Sequence, residues 1–332
     1  MSEPRASDRR ADEAARPRSS DTAFSPAPAR ARTTVASPDP ARRAFLRAAA
    51  LGTAGVGALA GGLVPVEAEA QRAAMPDDGL GDFALLNLVL SLEHLQFELY
   101  NHALHGSVDL GPAFSGSAPG EVIGGGPMTG IGEDLAALVA ECADLEARHI
   151  TVLRAFFDGY GRSAVDRPAI DFVGGFRPFA GAAGGLGGAA SPFASADALI
   201  LCALLVEDIA VSAYTTILER VVDPNVRTVL HRVTPAEGYQ AGALRMLARQ
   251  RGLAAEARAI AALEARLRGT EVIDPGAGSG VIADAIPTDF SGFIPADDLG
   301  ATLGALYAGR GRSGGGGFFP EGIVIGADGR RI

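Results

Sequence analysis

The sequence predicts an all-α protein: a four-helix bundle with a long crossover between its second and third helices, then a short fifth helix and an irregular glycine-rich tail. Three observations predict it. Four long segments carry apolar residues at helical spacings of three and four. Glycine-rich stretches separate the first from the second and the second from the third. The second of these stretches is much the longer, as a crossover requires.

The amino terminus stands apart from this pattern. The chain has 332 residues, with 44 Gly, 20 Pro and a formal net charge of -10, a length that suits one large domain or two small ones. Residues 1 to 41 are rich in Arg, Ala, Pro, Ser and Asp without periodicity, the composition of a disordered extension. Arg42 and Arg43 then precede Phe45, Leu46 and a weakly hydrophobic Ala/Gly/Leu run that ends at Ala68-Glu69-Ala70, a small-x-small cleavage signature. This resembles a twin-arginine export signal cleaved after Ala70. A permanent membrane anchor is the competing reading. Five glycines between Gly52 and Gly62 make the run too weakly hydrophobic for a stable span. The expected partner is the twin-arginine export machinery, and the expected location is periplasmic or extracellular. That route carries folded proteins and so suits a cofactor loaded before export. Residues 1–70 contain 10 Arg and 8 acidic residues, so the mature charge is -10 - (10 - 8) = -12. This balance, with no lysine, argues against nucleic acid as a partner. A homo-oligomer is compatible with the sequence.

The first helix is expected from about Phe83 to Leu104. Its polar residues Asn87, Ser91, His94, Glu98, Asn101 and His105 advance by three and four and form one stripe, read as the solvent side. Leu86, Val89, Leu90, Phe97, Tyr100 and Leu104 mark the apolar face. Glu93 sits in the middle of that apolar face with Gln96 beside it. It needs a partner, because ionised carboxylates are almost never buried alone.

The other three long helices repeat the oddity. The second runs from about Gly132 to Phe157, and its inward stripe of Leu135, Leu138, Cys142, Leu145, His149, Val152 and Phe156 includes Glu146, three residues before His149. The long connection spans Gly159 to about Ala194. The third helix, about Ser195 to Val221, places Glu207 in line with Ile200, Ala203, Leu204, Val211 and Tyr214, with Asp208 more exposed. The fourth begins at Asp223-Pro224, cap and first turn, and reaches about Arg251. There Glu237 and Gln240 share a face with Val226, Leu230, Val233, Leu244 and Leu247, while His231 points away. A second reading starts a new helix at Thr234-Pro235-Ala236-Glu237, a capping box that would make Glu237 a mere cap. A short fifth helix from Leu253 to Leu267 closes a bundle domain of residues 71–267. Residues 268–332 form an irregular extension packed on it. Cys142 and Cys202 are too few for a disulfide scaffold and fall in apolar patterns, so they read as buried free thiols.

Four helices thus each offer one inward glutamate, and one adds a histidine. A buried, unpaired carboxylate costs several kcal/mol even after relaxation, whereas a whole domain is stable by only about 5 to 15 kcal/mol. The bundle therefore needs protons, arginines or a cation to neutralise the four, and no arginine falls on the inward stripes. Carboxylates with one imidazole suit iron or manganese, and a carboxylate bridging two ions suits a dinuclear centre. Tyr100 and Tyr214 each follow their helix's glutamate by seven residues. They read either as core tyrosines or as groups that hydrogen-bond the ligands.

With those residues in view, the chain resembles the ferritin-like superfamily over about residues 80 to 332. LNLVLSLEHLQFELY is similar to the first ferritin-like helix, LEARH to the ligand pair of the second, LLVEDIAVSAY to the third and PAEGYQAGALR to the fourth. The ending GGGGFFPEGIVIGADGRRI resembles the GGFFPxG tail of the desiccation-related branch. The resemblance implies a ferritin-like bundle in which Glu93, Glu146 and His149 hold one ion. Glu146 would bridge to a second ion held also by Glu207 and Glu237. Two positions depart from the pattern: Gln240 stands where a histidine is usual, and Gln96 where many relatives carry glutamate. A neutral amide is a poor ligand, so the second site is expected to be weak or empty, leaving one or two ions. Two function classes follow. One is a redox metalloprotein, an oxidase, ferroxidase or catalase-like enzyme; the other is a non-enzymatic stress or desiccation-related envelope protein with a degenerate or single-metal site.

Overall fold

The computed structural model describes residues 80–180, 191–269, 294, 298–309, 314–326 and 328–332. The amino-terminal arm, the Arg42-Arg43 signal and its cleavage point lie outside the described residues, as do part of the long connection and much of the stretch from 270 to 297. Eight α-helices are described: α1 Asp82–His105, α2 Pro112–Ser115, α3 Glu133–Gly159, α4 Phe172–Phe176, α5 Ala196–Arg220, α6 Pro224–Gln250, α7 Ala254–Arg268 and α8 Leu299–Leu306. The four long ones, α1, α3, α5 and α6, make the bundle. α1 packs on α3 and α5 on α6, and the two pairs meet through α1 on α5 and α3 on α6. None of the described helices is long and apolar enough to cross a membrane.

Local chemistry explains the boundaries. Ser195 caps α5 by accepting the amide of Ala198 at 3.1 Å. Asp223 caps α6 by accepting Asn225 N at 2.7 Å and Val226 N at 3.2 Å, with Pro224 in the first turn where its missing N–H costs nothing. Asp82, acidic in the first turn of α1, also accepts Val222 N at 3.0 Å. It thereby ties the start of α1 to the α5–α6 junction. α6 runs unbroken through Pro235, and Thr234 donates to Leu230 O at 2.8 Å instead of capping a new helix. The capping-box reading of Glu237 is therefore overturned.

The predicted solvent stripe of α1 is also overturned. Asn87, Ser91, His94, Glu98 and Asn101 are all buried, and only His105 reaches the margin. The connections and the carboxy-terminal segment cover that face. Asn87 Nδ2 donates to Ile325 O at 3.1 Å, and Val165 N donates to Asn87 Oδ1 at 3.2 Å. Arg167 ion-pairs with Glu98 and donates to Gly120 O at 2.6 Å, while His102 Nε2 lies 3.3 Å from Glu98 Oε2. Phe114 of α2 closes over His94 and Phe97, with ring centroids 5.6 and 4.8 Å apart. A two-residue parallel pairing, Val122 with Ile170 and Ile123 with Asp171, stitches the two connections together. Gly116, at φ +89°, lets the first connection pass against Asp166, whose carboxylate accepts Ser117 N at 2.8 Å. A Cβ at Gly116 would meet that carboxylate at 1.9 Å.

The carboxy-terminal segment is less irregular than its sequence suggests. Asp298 caps α8 by accepting Ala301 N at 2.8 Å, and α8 packs on α7 and α5. Helical periodicity is hidden there because LGATLGAL is buried nearly all round. Phe318 and Phe319 are fully buried; Phe318 packs on Phe176 and fits where Gly175 has no side chain. In α3 the inward face is rotated slightly from the expected stripe. Val139, Glu146, Ile150, Leu153 and Phe157 are buried, and Leu138, Leu145 and Val152 are half-buried.

Candidate metal centre

The helix pairing brings all four inward glutamates to one level of the bundle. Glu93 of α1, Glu146 of α3, Glu207 of α5 and Glu237 of α6 have no exposed surface. His149 Nδ1 lies 3.1 Å from Glu93 Oε2, 3.4 Å from Glu146 Oε2 and 3.2 Å from Glu237 Oε1. One ligand atom from each of these four residues falls within 4.8 Å of all the others, a separation that a single cation can span. Glu146 Oε2 and Glu237 Oε1 make no well-formed hydrogen bond and face only the shared His149 Nδ1. Three buried carboxylates that share one imidazole nitrogen are what a cation would satisfy. The residues therefore fit a metal ion, with Glu93, Glu146, His149 and Glu237 as the residues that would hold it.

This grouping differs from the expected one. Glu237 joins Glu93, Glu146 and His149 directly, whereas Glu207 stands apart. Glu207 is engaged by hydrogen bonds: Tyr100 Oη donates to its Oε1, and Gln96 Nε2 donates to its Oε2 at 3.0 Å. The same Gln96 amide donates to Glu237 Oε2 at 2.5 Å. Gln240 does not point at the ion position beside Glu237. Its Nε2 donates to Glu146 Oε1 at 2.6 Å.

The tyrosines act crosswise. Tyr100 of α1 serves Glu207 of α5, and Tyr214 of α5 donates to Glu93 Oε1 of α1 at 2.9 Å. Burial, then the neighbouring carboxylate of Glu207 or Glu93, pushes both phenols well above their ordinary range. They stay protonated and can only donate to ionised partners. Cys142 and Cys202 are buried free thiols, both pushed up by burial. His231 is exposed on the outer face of α6. Asp208 is partly covered by an ion pair with Arg245.

The electrostatics follow from the crowding. Burial, then the Glu93 carboxylate, pushes Glu146 up to about 8. Burial, then Glu146, pushes Glu237 up to about 7. Burial, then Glu237 and Glu146, raises Glu207 well above the carboxylate range. For His149, burial alone would lower the imidazole, but Glu93, Glu146 and Glu237 outweigh it and hold it far above the usual histidine range. The histidinium is the stand-in countercharge of the metal-free cluster. A metal ion held by Glu93, Glu146, His149 and Glu237 would take the place of that proton as the countercharge. His149 keeps 13% of its side-chain surface exposed, whereas the glutamates keep none. The cluster thus opens to solvent on the His149 side.

A model of the ferritin-like domain matches residues 81–250, half of the chain. The chain belongs to the ferritin-like domain family. The match spans α1 through α6 and so contains every residue of the cluster. Comparison with curated proteins and with solved structures gives no significant match. The ferritin-like bundle also shows a repeat within itself. Glu93 and Tyr100 on α1 are spaced as Glu207 and Tyr214 on α5, and Glu146 and His149 on α3 as Glu237 and Gln240 on α6. The crosswise tyrosine bonds are the visible consequence of this pairing.

Sequence reasoning found the buried glutamates and named Gln96, Tyr100, Tyr214 and Gln240 as candidate supporting groups, but not which glutamate each one serves. It noted Gln96 as a neighbour of Glu93, on one helix. That Gln96 serves Glu207 and Glu237 depends on contacts between helices, for which a single-helix period carries no signal.

Proposed function

We propose that this protein is an exported ferritin-like metalloprotein that holds one iron or manganese ion through Glu93, Glu146, His149 and Glu237. The observation that carries the reading is the convergence of four ligand atoms at one buried point, where three carboxylates share a single imidazole nitrogen. When bound, such an ion supplies one-electron redox chemistry toward oxygen or peroxide. The chain's own residues orient and neutralise. Tyr214 fixes Glu93, Gln240 fixes Glu146 and Gln96 fixes Glu237, each through the oxygen turned away from the ion position. Such supporting donors restrict ligand rotation and strengthen binding.

The Arg42-Arg43 signal supports passage through the twin-arginine export machinery, with the folded, loaded domain released to the periplasm or beyond. The GGFFPEG ending supports a place in the desiccation-related branch. One observation favours a second reading, a non-enzymatic stress protein in which the ion is structural: amides fill the half of the cluster next to Glu207. The two readings separate in one experiment. Exported protein is loaded with manganese or iron and assayed for peroxide and oxygen consumption beside His149→Ala. Consumption that is lost in His149→Ala supports the enzyme; a bound ion that raises thermal stability without any turnover supports the structural role. Wild-type protein that binds neither metal would refute both.

A further inference from the structure

We infer that Gln96 sets the metal stoichiometry of this centre, its side-chain amide standing in the place of a second cation between Glu207 and Glu237. The inference rests on the metal-binding reading above and deepens it.

The two halves of the cluster are satisfied differently. On the Glu207 side every facing carboxylate oxygen already accepts a hydrogen bond. Glu207 Oε1 accepts from Tyr100, Glu207 Oε2 and Glu237 Oε2 from Gln96, and Glu146 Oε1 from Gln240. On the His149 side, Glu93 Oε2, Glu146 Oε2 and Glu237 Oε1 crowd round the single His149 Nδ1, and the latter two make no well-formed hydrogen bond. A primary amide has two N–H groups on one nitrogen. Gln96 spends them on carboxylates from two different helices, α5 and α6, as a bridging cation would. Its orientation is determined by the partners, because turning the amide over would set its oxygen against two carboxylate oxygens.

The internal repeat identifies what has changed. The position on α5 that corresponds to Gln96, three residues after the glutamate, is Ala210, which carries no polar group. The position on α6 that corresponds to His149 is Gln240. The half of the centre beside Glu207 therefore has an amide, Gln240, where the other half has an imidazole, and a second amide, Gln96, where the other half has alanine. The half beside Glu93 has the imidazole, and the equivalent position on α5, Ala210, carries only a methyl group. Losing the imidazole alone would leave a weak site. Filling the space leaves none, so Gln96 rather than Gln240 is decisive.

Metal-free protein titrated with Mn(II) tests this by equilibrium dialysis and electron paramagnetic resonance. Wild type and Gln240→His should each hold about one ion per chain with the spectrum of an isolated Mn(II). Gln96→Ala/Gln240→His should hold about two with a magnetically coupled spectrum, and adding Glu207→Gln should return it to about one. Gln96→Glu keeps the side-chain shape and should also reach about two, which guards against a double variant that does not fold. Wild type holding two ions, Gln240→His alone reaching two, or folded Gln96 variants remaining at one would each overturn the inference. Wild type holding none would instead overturn the metal-binding reading on which it rests.

Discussion

Arg167→Met tests the buried face of α1 that its polarity disguises. Arg167 is the charged partner of Glu98, which is 2% exposed, and it also donates to Gly120 O at 2.6 Å. Methionine conserves much of the stem but leaves the Glu98 carboxylate with only His102 Nε2 at 3.3 Å. Removing one partner of a buried ion pair costs about 3 to 5 kcal/mol. The lost bond to Gly120 belongs to the same network and is not simply additive. With a domain stability of about 5 to 15 kcal/mol, the variant should lose about a fifth or more of its margin. In urea, at a slope of about 2 kcal/mol per M, the midpoint followed by circular dichroism should fall by about 1.5 to 2.5 M. Glu98→Gln/Arg167→Met should recover much of this, because removing both charges leaves no uncompensated ion. Metal content should not change, since Glu98 points about 140° around α1 from Glu93. A loss below about 1 kcal/mol, or a double variant no more stable than the single one, would refute the claim that this pair is buried and coupled.

Three further outcomes follow from the same geometry. Tyr214→Phe removes the donor to Glu93 and should weaken Mn(II) binding by about 10-fold or more, whereas Tyr100→Phe, whose partner is Glu207, should leave the affinity for one ion within about 2-fold in a competition titration. The metal-free protein should lose stability as pH rises from about 5 to 8. Glu146 and Glu237 have folded values of about 8 and 7, above the ordinary 4.5, so the fold favours their protonated forms and that contribution fades as pH rises through those values. His149 acts in the same direction, its contribution being complete below the ordinary 6.5 and declining above it. Thermal melts across this range check the sign, and saturating Mn(II) should flatten or reverse the trend; a metal-free protein that gains stability toward pH 8 would contradict it. Replacing Arg42 and Arg43 with lysine should hold a precursor in the cytoplasm, and amino-terminal sequencing of exported wild type should begin near Gln71; an intact Met1 on exported protein would argue against cleavage.

The burial of Glu93, Glu146, Glu207 and Glu237 was legible in the sequence because each carboxylate interrupts an apolar stripe of known period. The helix ends were legible because Ser195, Asp223 and Pro224 carry their own capping chemistry. The same period misled at Asn87, His94 and Glu98. It identifies a polar face, and whether water or protein covers that face is decided by Val165, Arg167 and Ile325, which are distant in sequence. The partition of the glutamates escaped for a related reason. Glu237 joins His149 and Gln96 joins Glu207 across helices, at distances that the axial positions of α1, α3, α5 and α6 determine. A chain-local pattern places each residue on its own helix and leaves the relative heights of the helices open.

The central claim is that one ion sits among Glu93, Glu146, His149 and Glu237. Crystals of manganese-loaded protein, with anomalous difference maps recorded on either side of the manganese absorption edge, test it most directly. One peak bounded by His149 Nδ1, Glu93 Oε2, Glu146 Oε2 and Glu237 Oε1, with the Gln96 amide still between Glu207 and Glu237, is the predicted result. No peak within the bundle, or a peak held by Glu207 and Gln240, would contradict the account.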